Sequence, residues 1–297
     1  MQSSLKTTGS PSLDGDPDRI CNDKSRLPGF LEEIDVRLLY AGLDDLPPGA
    51  WTHDRLVNDF WRLYQNDGPG GIVISGDEPI DLVANGVYLV PNSLKLSSRN
   101  TEHLRQFFIH FDLRGVPPFA FRDLFPSPVL VDCGADVSGL VSTLGRKVAE
   151  VGTDDIALQC QLKGVIYTAF GYYLENLPAQ LIDTSWARLQ AMQPVAPALQ
   201  MIERELEKAL TNRELANACA MSENHFIRRF RQAIGVTPAS FIQQKRLAAA
   251  AQMLLFTDES IDAIALKTGF SDRFYFSRAF SRAMGRPPAT YRRSPRT

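Results

Sequence analysis

The stretch FIRRFRQAIGVTPASF at residues 226–241 returns as FSRAFSRAMGRPPATY at residues 276–291, fifty positions further along. Both copies read F-x-R-x-F-x4-G-x2-P-A-[ST]-[FY]. Two Phe four apart share one helix face, the Arg between them points away from it, and the Gly that follows ends the helix with a left-handed cap. Each copy therefore predicts a short, anchored helix with a cation on its outer side.

What precedes each copy predicts a helix-turn-helix. Thr211 is placed to cap a helix running through Ala220, with Leu215, Ala216 and Cys219 turned inward, and Ser222 opens the next. Ahead of the second copy, Ser260 caps Ile261, Ile264 and Ala265, Gly269 makes the turn, and Ser271 is the expected cap of the following helix. Small residues at Ala216 and Ala265 suit a close helix crossing. Between the copies, Ala239 to Leu255 contains neither Gly nor Pro and reads as one helix of roughly 25 Å.

Charge divides the chain at the same place. Residues 196–297 hold 16 Lys and Arg against 9 Asp and Glu, whereas the other 195 residues hold 16 against 25. The basic third fits a polyanion, and the near-neutral total conceals it.

The preceding residues read differently. Gly71–Ser75, Ile80–Ala84, Val87–Val90, Leu94–Leu96 and Leu104–Phe111 are short apolar runs separated by turn signals such as Asn85-Gly86 and Pro91-Asn92, the pattern of a sandwich or barrel. Two helical stripes follow: Leu140, Leu144, Val148 and Val151, then Leu158, Leu162, Val165, Ile166, Ala169, Tyr172, Tyr173 and Leu177. Pro178 ends the second, and Gln193 to Pro197 marks the expected boundary between units. The polar start, rich in Ser, Asp, Gly and Pro, predicts a loose tail without a signal peptide, and no run approaches 18 apolar residues, so a cytoplasmic protein is expected. The four Cys are isolated and predict reduced thiols.

With these residues in view, positions 197–297 resemble the DNA-binding domain of the AraC/XylS family of bacterial regulators, densely so at Ala265, Gly269-Phe270-Ser271, Tyr275-Phe276-Ser277-Arg278, Phe280, Gly285, Pro288 and Tyr291. The resemblance implies two helix-turn-helix units joined by a long helix, each placing its second helix in the major groove. More loosely, Trp61-Arg62-Leu63-Tyr64, the Gly68–Gly71 turn, Val90-Pro91 and Ile109-His110-Phe111-Asp112 are similar in order to the small cupin-like barrel that precedes this domain in many members. The expected architecture is α+β: a flexible tail over 1–28, a cupin-like effector and dimerisation domain with covering helices over 29–193, and an all-α double helix-turn-helix domain over 194–297. Implied partners are double-stranded promoter or operator DNA, a small effector such as a sugar or aromatic acid, a second copy in a homodimer, and RNA polymerase, with activation the expected outcome.

Candidate site residues follow from facing positions. Asn224, Ile227, Arg228 and Arg231 lie opposite Phe226 and Phe230, and Arg273, Phe274, Ser277 and Arg278 lie opposite Phe276 and Phe280. Arg matches guanine, Asn matches adenine and apolar groups match the thymine methyl; the alternative role of Phe274 is helix packing. On the candidate strand Leu104–Phe111, the alternate set containing Gln106, Phe108 and His110 offers hydrogen-bonding groups beside a ring and, with Arg62 and Tyr64, is the expected effector contact. The competing arrangement has the apolar set fill the barrel while Gln106 and His110 face outward, to solvent or to the covering helices. No cofactor or metal is expected: the four His form no H-x-H pair, and no nucleophile elbow, phosphate loop or dinucleotide fingerprint occurs. Two other readings are a cupin-type enzyme with an accessory DNA-binding domain, and a constitutive DNA binder without an effector.

Overall fold

In the computed structural model, residues 35–57, 60–92, 94–114 and 122–293 are described, so the expected tail over 1–28 lies outside the described residues. Among the described residues nine strands come first: β1 (Asp35–Leu46), β2 (His53–Val57), β3 (Trp61–Asn66), β4 (Gly71–Ser75), β5 (Glu78–Leu82), β6 (Val87–Val90), β7 (Lys95–Asn100), β8 (Leu104–Arg114) and β9 (Val129–Val131). They form two antiparallel sheets, ordered β1-β8-β3-β6-β9 and β2-β7-β4-β5. Among the described residues the sheets do not join into one ladder, so the expected barrel is corrected to an open two-sheet layer structure.

The alternation along β8 sorts its side chains. Phe107, Ile109 and Phe111 join Trp61, Leu63 and Phe125 in a core covered by α1 (Gly134–Val151) and α2 (Ile156–Glu175). The other face, with Phe108, packs toward Trp51, Tyr64, Tyr88 and Val73 between the sheets. The α1 stripe differs from expectation: Val141, Leu144, Gly145 and Val148 are buried, whereas Leu140 and Val151 are exposed. Gly145 decides this, because a Cβ there would fall 3.0 Å from the Phe107 ring; the helix rotates to bring its bare backbone against that ring.

Helix α3 (Ala179–Met192) leads through a 3-10 turn at 193–195 into α4 (Ala196–Arg204), then α5 (Asn212–Ala218), α6 (Glu223–Ile234), α7 (Pro238–Phe256), α8 (Ile261–Lys267), α9 (Arg273–Met284) and α10 (Pro288–Arg292). The segment read as a boundary is therefore helical up to and beyond the turn. The core that begins in the five-stranded sheet continues through α2, α3 and α4 to Leu215, Phe226, Phe230 and Phe241. A second core, built on Leu254, Ile264, Phe276, Phe280 and Tyr291, is completed by Phe60, which follows β2. Cys133, Cys160 and Cys219 are free thiols. No helix among the described residues is long and apolar enough to cross a membrane.

Candidate nucleic-acid interface and effector site

The two helix pairs are built by similar local chemistry. Thr211 and Glu214 form a reciprocal capping box: Thr211 Oγ1 accepts from the Glu214 amide (3.2 Å), and a Glu214 carboxylate oxygen accepts from the Thr211 amide (2.8 Å). The Thr211 amide, together with the Thr211 hydroxyl, which donates to the same carboxylate oxygen at 2.7 Å, holds the Glu214 carboxyl below its ordinary range. At α8, Ser260 Oγ accepts from the Ala263 amide. The cap of α9 is Asp272 rather than the expected Ser271; its two carboxylate oxygens accept from the Phe274 and Tyr275 amides at 3.0 and 2.9 Å. A carboxylate satisfies both free amides and carries the charge that a helix start favours, which one hydroxyl does not match. Gly235 and Gly285 end α6 and α9 in the left-handed conformation, as the repeat implies.

On α6, Phe226, Phe230 and Ile234 are buried, while Asn224, Ile227, Arg228 and Arg231 come together with Gln232 around one shallow depression. Asn224, Arg228 and Arg231 are exposed and Ile227 is half-buried. On α9, Phe276 and Phe280 are buried; Arg273 and Arg278 are exposed and Ser277 is half-buried. Arg273 Nη1 donates to Asp262 at 2.9 Å, so this cation is partly committed to α8. Phe274 is 73% exposed, which leaves no room for the helix-packing alternative. Arg278 lines a second groove, between α7 and α9, together with Gln243, Gln244, Tyr275 and Arg282. Gln243 donates to the Tyr275 hydroxyl at 3.0 Å. Sequence reasoning missed these α7 residues because they sit outside both copies of the repeat; only Arg282, one turn beyond Arg278, carried a signal.

The five candidate effector residues share one sheet face. The β3–β8 register sets Arg62 opposite His110, Tyr64 opposite Phe108 and Asn66 opposite Gln106, and every one of the six is at most 5% exposed. This mixed face looks between the sheets, opposite to the alternative in which Gln106 and His110 face outward. Gln106 donates to Asn66 Oδ1 at 3.0 Å, but Gln106 Oε1, both His110 ring nitrogens, His53 Nε2 and Trp51 Nε1 are buried without a hydrogen-bond partner among the described residues. Burial, with the Arg62 charge adding to it, pushes His110 well below the ordinary histidine value and His53 down to about 4. Around His110 stand Phe60, Phe108, Phe256 and Tyr40, with ring centroids 4.7, 4.9, 5.9 and 6.4 Å away. Phe256 belongs to α7, so the strut between the two helix pairs reaches the mixed sheet face.

A cleft of about 660 Å³ lies elsewhere, between Arg37, Asp112 and Arg114 at the ends of β1 and β8 and Glu203, Lys245 and Gln252 of α4 and α7. Its walls are some 90 residues or more apart in sequence, so no local pattern announced it. Among the described residues no group of three or more His, Cys, Asp and Glu is placed to hold a metal ion.

These features describe a helical DNA-binding unit joined to a two-sheet unit, and the comparisons agree. Residues 215–294 match the family HTH_18, described as a helix-turn-helix domain. The Tn10 TetD protein of Escherichia coli is 35% identical over 100 residues, 34% of this chain and 72% of that protein. The HTH-type transcriptional regulator AlkR of Acinetobacter baylyi is 36% identical over 115 residues, 38% of each chain. The crystal structure of ToxT from Vibrio cholerae O395 is similar in fold at a TM-score of 0.50 and 13% identity, over 85% of this chain and 96% of ToxT. The chain belongs to the AraC family of helix-turn-helix transcriptional regulators. It spans about a third of the length of AlkR and other curated relatives it matches.

Proposed function

We propose that this chain is a sequence-specific transcription regulator whose α5–α6 and α8–α9 pairs are two helix-turn-helix units reading successive major grooves, and whose two-sheet unit receives a small-molecule effector. The doubled motif carries the reading: both copies fold as capped helices with buried Phe pairs and exposed Arg, separated by α7, 19 residues and so about 28 Å long. That is close to one turn of DNA, roughly 34 Å, between half-sites. The units divide the chain near residue 194, and it works as a homodimer that recruits RNA polymerase as an activator. Phosphate neutralisation supplies affinity; Asn224, Ile227, Arg228 and Arg231 on α6, with Arg273, Phe274, Ser277 and Arg278 on α9, supply base readout.

For the effector, Arg62, Tyr64, Gln106, Phe108 and His110 are favoured by the unpartnered polar atoms on their shared face, because buried groups of that kind are costly without a partner. A sugar matches alternating donors and acceptors beside rings. A second location, the cleft between the sheet ends and α7, is favoured by its volume and by Arg37, Arg114 and Lys245 on its walls.

Fluorescence anisotropy of the full chain on duplexes selected from a random pool tests the first half. The logarithm of affinity should fall linearly with the logarithm of salt, by about 0.9 per phosphate contacted; binding that ignores salt, or no selected duplex, ends the DNA reading. Thermal-shift screening of sugars and small acids tests the second. A stabilising compound whose effect is lost in Gln106→Ala/Phe108→Ala places the effector between the sheets. An effect lost only in Arg114→Ala places it in the cleft.

A further inference from the structure

The Arg246 side chain on α7 reaches three backbone carbonyls from three different parts of the C-terminal unit. Its Nε donates to Leu206 O at 2.9 Å, Nη2 to Lys208 O at 2.5 Å and Nη1 to Gly269 O at 2.8 Å. Leu206 and Lys208 lie in the turn between α4 and α5, just before the cap of the first helix pair; Gly269 is the turn of the second pair. A planar guanidinium with five donors in a fixed fork can satisfy three acceptors at once only if they stay in place.

The contact on the Gly269 side is tight. A Cβ on that residue would fall 2.7 Å from Arg246 Cζ, and its φ of 82° is in the left-handed region as well. The turn of the second pair is therefore shaped around the guanidinium, and the strut is joined to the second pair again by the Gln243–Tyr275 hydrogen bond.

We infer that Arg246 is a positioning residue for DNA recognition: by fastening the lead-in of the first helix pair and the turn of the second to one point on α7, it fixes the separation and angle of the two reading helices, and so sets which spacing between two half-sites the chain accepts. The inference rests on the two-unit reading above. When two modules are linked, the second contact forms at an effective concentration that is highest when the link matches the span; a stiff link makes that maximum narrow, and a loosened link lowers and broadens it.

The test uses the full chain and a duplex selected by the wild type from a random pool, with its two contacted grooves located by hydroxyl-radical footprinting. Derivatives with one or two base pairs added or removed between the grooves, and one with the second groove's sequence scrambled, complete the set. Wild type should lose about tenfold or more in affinity for each wrong spacing. Arg246→Ala should bind the correct spacing more weakly, discriminate among spacings by less than about threefold, and match wild type on the scrambled duplex, where one reading helix suffices. Arg246→Lys keeps the charge but not the fork and should behave like Arg246→Ala. A wild-type spacing profile in both variants overturns the inference. So does full recovery in Arg246→Lys, which would mean the charge alone mattered. If Arg246→Ala fails on the scrambled duplex through misfolding, Arg246→Lys decides by the same two criteria. A wild-type footprint over one groove only would instead remove the two-unit reading itself.

Discussion

Phe276 and Arg278 stand two residues apart on α9 and face opposite ways: one is buried in the second core, the other is exposed on the α7–α9 groove. Phe276→Ala and Phe280→Ala should each lower stability by roughly 3 to 5 kcal/mol in chemical denaturation, since each leaves a cavity in a small core. Arg278→Ala should leave the melting temperature nearly unchanged and weaken binding to a selected duplex by about 1 to 3 kcal/mol. Unfolding of the Arg278→Ala variant would show that this side chain is structural.

His53 makes a different prediction. Its folded value near 4 lies below the ordinary 6.5, so the unfolded chain takes up a proton that the folded chain refuses. Stability is then fully present above pH 6.5 and falls as pH drops toward 4, by up to about 3 kcal/mol, with His110 acting in the same direction. Denaturation midpoints measured from pH 7.5 to 4.5 should show this fall, and the fall should be smaller in His53→Gln. An equal slope in both proteins would assign it to other groups.

At the scale of elements, the legibility of the sequence followed periodicity. Strands β4, β6 and β8, the strut α7 and both Gly-capped helices were readable because period, cap and turn residues agreed. Strand β1 was missed because its alternation is weak, with exposed and half-buried residues over most of its length, and α3 because it follows Pro178 with no strong apolar stripe. On α1 the expected Leu144 and Val148 are buried, but Val141 and Gly145 take the inward places expected of Leu140 and Val151, because the deciding contact, Phe107 on Gly145, is made by a strand far away in sequence. Of the candidate site, the outward positions on α6 and α9 were legible from the Phe spacing alone; the α7 wall of the groove and the cleft were not, because long-range packing creates them. The turns of the two helix pairs also differ. Ala220 occupies the place in the first turn that Gly269 holds in the second, at φ 52°. A left-handed Ala costs roughly 1 to 2 kcal/mol, part of which Gly returns to the unfolded chain as entropy. Ala220→Gly should therefore stabilise the protein by about 0.5 to 1 kcal/mol in equilibrium denaturation; a loss of stability would show that the alanine methyl does more in packing than the strain takes away.

For the whole molecule, the expected division near residue 194 separates sequence patterns better than it separates cores. One core runs from the five-stranded sheet into α6, and the other includes Phe60 among residues of α7 to α10, with Leu39 packed against it. The helical unit is thus closed partly by Leu39 of β1 and by Phe60 of the segment between β2 and β3.

This sharing has a consequence for the newborn chain. Phe60 is made nearly two hundred residues before Phe256, with which its ring packs at 5.6 Å. At about 5 to 20 residues per second, ribosomes need on the order of 10 to 40 seconds to cover that interval. Through that time the sheets can pair while Phe60, Tyr40 and Leu39 still wait for their partners from α7. The nascent protein carries an aromatic surface that only later translation covers, and a pause or stop before α7 would leave that surface open to chaperones or to neighbouring chains on the same message.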